Sequence, residues 1–448
     1  MNQTALLLLA SLGLLVGQAA PLMAQAAPAP PAAASLPATV SASGPTLSLA
    51  DAEARTLKNQ PRLAAESLRA QALGKRVEQS RSAYFPQLAA NLTAVQANGD
   101  TAVAAGAVTT SSISTRVAGG ATLTQLVTDF GRTREMVRSS RLTAQAGLQQ
   151  TEDVKQQILR DVDLAYFATE AAESVAGTAQ AVLSFRQTSL RQLSALAQNQ
   201  LRSTLDVQFA QVLVSEARMA VVQADSRVQE ARAQLAAAMG EDDVRDYVLT
   251  EPPQPPLLDD DVAVYVREAL ATRPDLKVLQ LQALAARQYA NSEGKLSYPT
   301  INLLGTAGEV PVRDQTLHQN YGAAGLNISI PVFNGELYSG RAAEAKLRAQ
   351  AADRDVRDRS LLIERDVRTD WARAKDARLQ IQVAQDLVDQ TGVALRLAQA
   401  RYDAGLGSIV ELNQAELSET SALIEAASAR FDYLGTRATL SYALGVRP

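Results

Sequence analysis

Apolar and polar side chains trade places residue by residue in four stretches of the chain. Leu88, Ala90, Leu92 and Ala94 alternate with Ala89, Asn91, Thr93 and Val95, and Val117, Gly119, Ala121 and Leu123 alternate with Ala118, Gly120, Thr122 and Thr124. The pattern returns at Ile301, Leu303, Gly305 and Ala307, and again at Ala324, Leu326, Ile328 and Ile330. A period of two predicts strands with one greasy and one wetter face. A run of about ten residues also suits a tilted membrane strand. Paired around polar loops, the four strands predict two hairpins, at about 86–128 and 299–333. Tyr84, Phe85, Phe130, Tyr298, Tyr321 and Phe333 stand at the strand ends. They suit the aromatic belts of a membrane barrel, and equally the ordinary packing of hairpin ends.

Elsewhere the period is that of a helix. Gly131 to about Asn199 and Gly335 to about Ala404 contain no proline, and each run as a helix would span on the order of 100 Å. Ile381, Ala384, Val388, Thr391, Leu395, Ala398 and Tyr402 keep a 3–4 spacing, as do Ala176, Ala179, Leu183, Leu190, Leu193 and Ala197. Such seams of small residues let helices approach closely. Shorter helices precede each hairpin, capped by Ser48 with Asp51 and by Asp261, with turns ahead of Pro61 and Pro274.

The chain is duplicated. Pro61 and Pro86 correspond to Pro274 and Pro299, both 213 residues on, whereas Arg160-Asp161-Val162 and Ala238-Met239-Gly240 correspond to Arg365-Asp366-Val367 and Ala443-Leu444-Gly445, 205 residues on. The change of offset puts about eight extra residues in the first hairpin. The expected organisation is a first repeat over 47–240, a Pro/Asp linker over 241–261 that reads as surface, and a second repeat over 262–447. Ahead of these, 1–24 reads as a signal peptide, cut after Ala24 or Ala26, although no Lys or Arg precedes its apolar core; 25–46 reads as an Ala/Pro-rich spacer.

Composition narrows this further. The 448 residues are 47% hydrophobic, 20% charged and only 4% aromatic, which suits packed helices rather than a thick globular core. A net charge of −4, with no basic cluster standing out, gives no case for nucleic acid. With no cysteine, neither a disulfide nor a lipidated N-terminal thiol is possible. No segment has the roughly 20 apolar residues of a membrane helix, so any span is made by strands. Four strands cannot close a barrel, and open edges in lipid leave backbone groups unsatisfied. A membrane reading therefore requires oligomerisation, and three chains supply twelve strands.

The order Tyr84-Phe85-Pro86-Gln87-Leu88, strand, loop, strand, Thr128-Asp129-Phe130-Gly131-Arg132, long helix, repeated through Ile330-Pro331-Val332-Phe333-Asn334-Gly335 and ending in Tyr402-Asp403-Ala404-Gly405-Leu406-Gly407-Ser408-Ile409-Val410-Glu411-Leu412, resembles the TolC-like outer-membrane efflux proteins over about residues 47–447. The resemblance implies a mainly α fold with membrane β: a duplicated helix–β-hairpin–helix unit, forming a long α-helical barrel and four strands per protomer of a twelve-stranded trimeric β-barrel. It implies a homotrimer in outer-membrane lipid with its helical part in the periplasm. The partners implied are a periplasmic adaptor and an inner-membrane pump of the resistance-nodulation-division or ABC type, in an efflux or type I secretion system carrying drugs, small molecules or polypeptides.

No catalytic constellation, cofactor fingerprint or metal set is visible, and the single His318 falls in a loop. Asp206 and Glu411 occupy equivalent points of the two repeats; threefold repetition would make a ring of carboxylates favouring cations. The competing reading makes each acid one half of a capping box, with Ser203 and Ser408. By resemblance Tyr402 is a gate aromatic, while Gln414 and Gly407 stand where a second gate acid and a basic partner would be expected. Gln200 and Arg202 replace Gly405 and Gly407, which predicts a different turn in the first repeat. The turns holding Leu201, Ser203 and Leu205, and Leu406, Gly407 and Ser408, are candidates for adaptor docking or for packing within a trimer. The rival functions are a soluble periplasmic coiled-coil adaptor or scaffold, which leaves the alternating strands unexplained, and a secreted enzyme, which lacks a site.

Overall fold

The computed structural model describes residues 44–96, 101–102, 112–113, 116–253, 255–312 and 318–445. The expected signal peptide, nearly all of the spacer and much of the first hairpin's loop lie outside the described residues.

The chain runs β1 (Thr46–Leu47), α1 (Leu49–Asn59), α2 (Pro61–Arg81), β2 (Gln87–Val95), β3 (Thr101–Ala102), β4 (Ser112–Ile113), β5 (Arg116–Thr128), α3 (Arg132–Gln198), α4 (Thr204–Met239), β6 (Val248–Leu249), α5 (Val262–Thr272), α6 (Pro274–Glu293), β7 (Thr300–Val312), β8 (Asn320–Ser329), α7 (Leu337–Asp403) and α8 (Ile409–Leu444). α3 and α7 have 67 residues each, and α4 and α8 have 36 each. α7 and α8 begin 205 residues after α3 and α4, and α5 and α6 begin 213 residues after α1 and α2. Both sequence offsets thus recur in the helices.

Local chemistry sets the helix ends. Ser48 Oγ accepts from the Asp51 amide while the Asp51 carboxylate accepts from the Ser48 amide, closing a capping box on α1. Asp261 accepts from the Ala263 amide at the head of α5, and Pro61 and Pro274 sit at the first positions of α2 and α6.

β2, β5, β7 and β8 form one antiparallel sheet in that order. Its register places Leu88 opposite Leu123, Ala90 opposite Ala121 and Leu92 opposite Gly119. It continues the same face through Leu123 to Gly305 and Ala121 to Ala307, then Leu303 to Leu326 and Ile301 to Ile328. The apolar halves of four alternating strands therefore merge into one surface. In the single chain that surface is bare: Leu92 is 82% exposed, Leu88 74% and Leu326 67%. The opposite face carries Gln87, Asn91, Thr93, Thr122, Thr124, Thr306 and Asn327. Tyr321 pairs with Gly308 and belongs to this wetter face, its ring lying over Gly120 and Gly308, where any side chain would collide with it. It is therefore no part of an outward belt. β2 and β8 are the two open edges.

The stretch expected to be a surface linker does structural work that its composition hides. β6 lies within it and pairs in parallel with β1. Leu47, Tyr166, Met239 and Tyr247 are buried around this pair. The Tyr166 hydroxyl donates to the Leu47 carbonyl at 2.9 Å or the Thr250 carbonyl at 2.7 Å, and accepts from the Thr250 amide at 2.9 Å. Two-residue strands carry too little period to be read from sequence.

One turn further along α3, Glu170 is 7% exposed. Burial, reinforced by the Glu251 and Glu173 carboxylates and only partly opposed by Arg430, pushes its pKa from 4.5 up to about 7. Between those two values the unfolded chain is ionised while the folded one stays protonated, so stability falls as pH rises through this window, by roughly 3 kcal/mol in all. Glu170→Gln is expected to flatten that decline between pH 5 and 8, measured as the unfolding temperature of detergent-solubilised protein; an unchanged slope would show that Glu170 titrates normally.

Candidate functional site

The tips of the two long helical hairpins bring the singled-out residues together. α3 ends in a turn with Gln200 at φ 57°, and Leu201 N–H donates back to the Leu196 carbonyl at 2.9 Å. α7 ends with Gly405 at φ 72°, and Leu406 N–H donates to the Arg401 carbonyl at 2.8 Å. The first turn was expected to differ because it lacks glycine. Instead Gln200 takes up the left-handed conformation of Gly405, at a penalty of about 1–2 kcal/mol.

Neither acid completes a capping box. Ser203 Oγ accepts from the Leu205 amide rather than from Asp206, and Ser408 Oγ accepts from the Glu411 amide at 3.1 Å. The two carboxylates are engaged elsewhere. Asp206 Oδ2 accepts a 2.7 Å hydrogen bond from the Tyr402 hydroxyl, joining α4 of the first repeat to α7 of the second. Glu411 lies 3.2 Å from Arg401 Nε, and both are about half exposed. The Gln414 side chain is exposed. So Asp206 and Tyr402 meet, whereas Glu411 and Gln414 stay apart from them.

Tyr402 is 4% exposed, packed with Ala398 and Leu412 and flanked by Leu193, Leu395 and Ile409. Burial and the bond to Asp206 push its pKa up to about 12. A basic residue does attend it, supplied by the other repeat: the Arg202 guanidinium sits 4.2 Å from the ring centroid and donates to the Tyr402 carbonyl at 3.2 Å.

Sequence reasoning overlooked a second crosslink. Arg186 of α3 and Glu416 of α8 form an ion pair with side chains 5% and 6% exposed. Burial lowers the Arg186 pKa. The signal was available: Arg186 lies three residues after Leu183 and four before Leu190, and a charge on an apolar seam needs a buried partner. A cavity of about 340 Å³ lies between the two links, lined by Arg186, Leu193, Arg202, Tyr402, Leu412 and Glu416 among others.

The outermost apolar side chains at the turns are open. Leu201 is 69% exposed, Leu205 58% and Leu406 75%, while Ser203 and Ser408 act as helix caps and Gly407 packs against Arg401. Among the described residues no helix is long and apolar enough to cross a membrane, and no group of acids and His318 could hold a metal.

Known proteins share this fold. The family model for outer membrane efflux proteins matches residues 54–241 and again 265–446. The toluene efflux pump outer membrane protein TtgF of Pseudomonas putida is 23% identical over 323 residues, covering 70% of this chain and 66% of that protein. Protein CyaE of Bordetella pertussis is 25% identical over 308 residues, 67% of this chain and 65% of that one. The chain thus spans just under two thirds of these relatives' length. The outer membrane protein VceC of Vibrio cholerae superimposes with a TM-score of 0.75 at 19% identity, covering 89% of this chain and 96% of that one.

Proposed function

The chain belongs to the outer membrane efflux protein family, and on that footing we propose that it is a passive exit duct rather than an enzyme or a soluble adaptor. Three copies close their sheets into a twelve-stranded barrel in the outer membrane, and their helices form a tunnel in the periplasm. One observation carries the reading: a single sheet with a continuous, exposed apolar face and two unpaired edges. In water such a face is a liability and such edges invite pairing; in lipid the face is at home and the edges must be sealed by other copies.

Cargo is delivered by an inner-membrane pump through a periplasmic adaptor that docks on the exposed Leu201, Leu205 and Leu406 at the hairpin tips. TtgF, by its name, serves toluene efflux, and small apolar or amphipathic molecules are the cargo class proposed here; secreted polypeptides are the second. The tips are held closed by Tyr402 on Asp206 and by Arg186 on Glu416, both joining the first repeat to the second. Opening separates the hairpins and breaks these bonds, and Glu411 and Asp206 then favour cations at the entrance.

Removing the first link tests this. In planar bilayers, Tyr402→Phe with Asp206→Asn is expected to raise the resting conductance several-fold, since a net contribution of about 1–3 kcal/mol to the closed state is lost. Unchanged conductance in a folded variant would remove this bond from the gate.

A further inference from the structure

We propose that a basic patch at the foot of the sheet's apolar face binds the phosphate headgroups of anionic phospholipids; this rests on the membrane reading of the sheet. The patch forms where α2 ends beside the beginning of α3, the two helices touching through Ser80 Oγ and Ser140 Oγ at 2.7 Å. Gln125, two residues beyond Leu123 on the same face of β5, donates to the Tyr84 carbonyl at 3.0 Å. Tyr84 therefore lies at the end of the sheet nearest the helices. Tyr84 is 43% exposed and Phe85 59%.

Arg134, Arg138 and Arg141 lie close enough to Tyr84 to act on its hydroxyl, and Arg81 precedes it by one helical turn. All four arginines are exposed. The nearby acids are already engaged. Asp129 accepts from the Gly131 amide and from both the amide and hydroxyl of Thr133; Glu135 contacts Arg138 at 3.3 Å and Lys295 at 3.4 Å. Among the described residues, Arg81, Arg134 and Arg141 have no carboxylate partner within ion-pair distance.

This is a positive concentration on a chain whose net charge is −4. Arg134, Arg138 and Arg141 lie close together in the sequence, and folding brings in Arg81 from across the hairpin of β2 and β5. Guanidinium groups match phosphate oxygens bidentately, and an interfacial position beside exposed aromatics is where headgroups lie. Charge complementarity and depth together select an anionic lipid surface as the occupant.

Native mass spectrometry of the detergent-solubilised full chain tests this, with phosphatidylglycerol and phosphatidylcholine supplied in equal amounts. The native protein is expected to retain phosphatidylglycerol preferentially. Arg81→Gln/Arg134→Gln/Arg141→Gln is expected to lower the ratio of bound phosphatidylglycerol to phosphatidylcholine by roughly tenfold or more. Three glutamines on the helices instead, Arg218→Gln/Arg227→Gln/Arg378→Gln, should leave the ratio unchanged. Equal retention of both lipids by the native protein, or an equal loss in both variants, overturns the proposal. Complete competition by millimolar inorganic phosphate would also overturn it, by making the patch a site for free anions. Conductance in pure phosphatidylcholine bilayers separates the two levels. If the native protein conducts but shows no lipid preference, only this inference fails; if it never inserts, the duct reading fails first.

Discussion

Leu88→Arg is expected to abolish insertion, whereas Ala89→Arg beside it should be tolerated. Leu88 is 74% exposed in the middle row of the apolar face, opposite Leu123 and in line with Gly305 and Ala324. Ala89 lies on the wetter face, opposite Thr122. A cation facing the middle of the bilayer costs about 2–4 kcal/mol in a transmembrane barrel, and threefold repetition makes the penalty about 6–12 kcal/mol per particle. That is comparable to the whole stability of a domain. On the wetter face the same charge meets water in the lumen and changes ion selectivity instead. The two variants differ by one position, so composition and strand propensity cannot explain a difference between them. The check is outer-membrane fractionation with a gel of unheated samples: Leu88→Arg should lose the trimer band and Ala89→Arg should keep it. Equal behaviour would mean that the two faces do not see different solvents.

The second large effect concerns the buried ion pair. Arg186→Leu leaves the Glu416 carboxylate, 6% exposed, without a counter-ion. Such an orphaned charge costs about 3–5 kcal/mol, and the carboxylate escapes the penalty by taking a proton or by opening the tip to water. The variant should therefore show a raised resting conductance that diminishes as pH falls and Glu416 is neutralised. Replacing both partners, Arg186→Leu/Glu416→Leu, removes the charge and the need for it together, and stability should return to near the native level. The non-additivity is the signature: two substitutions milder than one, read by thermal unfolding and by single-channel recording. A double variant as damaged as the single one would show that these side chains matter through shape rather than charge.

The helices were legible because their signals are local. The capping box at Ser48, the prolines at 61 and 274, the uninterrupted 3–4 spacing and the repeated offsets all lie within short windows of sequence, and α3 and α7 end close to where the pattern ends. Each of the four long strands was legible for the same reason. What joins distant parts of the chain was not. Strand alternation shows that Leu88 and Leu326 each belong to a greasy face; only the register through β5 and β7 shows that it is the same face. Tyr321 looked like its fellow aromatics at strand ends until pairing put it over two glycines on the other side. At the tips, Ser203 with Asp206 satisfied the local rule for a capping box, but a tyrosine from the other repeat claimed the carboxylate. Ion pairs such as Arg186 with Glu416 leave only a one-sided trace, a charge where the seam calls for an apolar residue.

Closure of the sheet between copies is the claim on which the membrane reading depends, and cysteine crosslinking reads it directly. The chain has no cysteine of its own, so every disulfide formed is an introduced one. β2 and β8 lie at opposite edges of one sheet, separated by β5 and β7. A cysteine at Asn91 of β2 would be scanned against cysteines at successive positions of β8 from Gly322 to Asn327 in intact outer membranes. Oxidation at the matching register should give covalent dimers and trimers and nothing larger, because a ring of three leaves no free edge. Crosslinking confined to single chains, or an unlimited ladder of higher species, would contradict it.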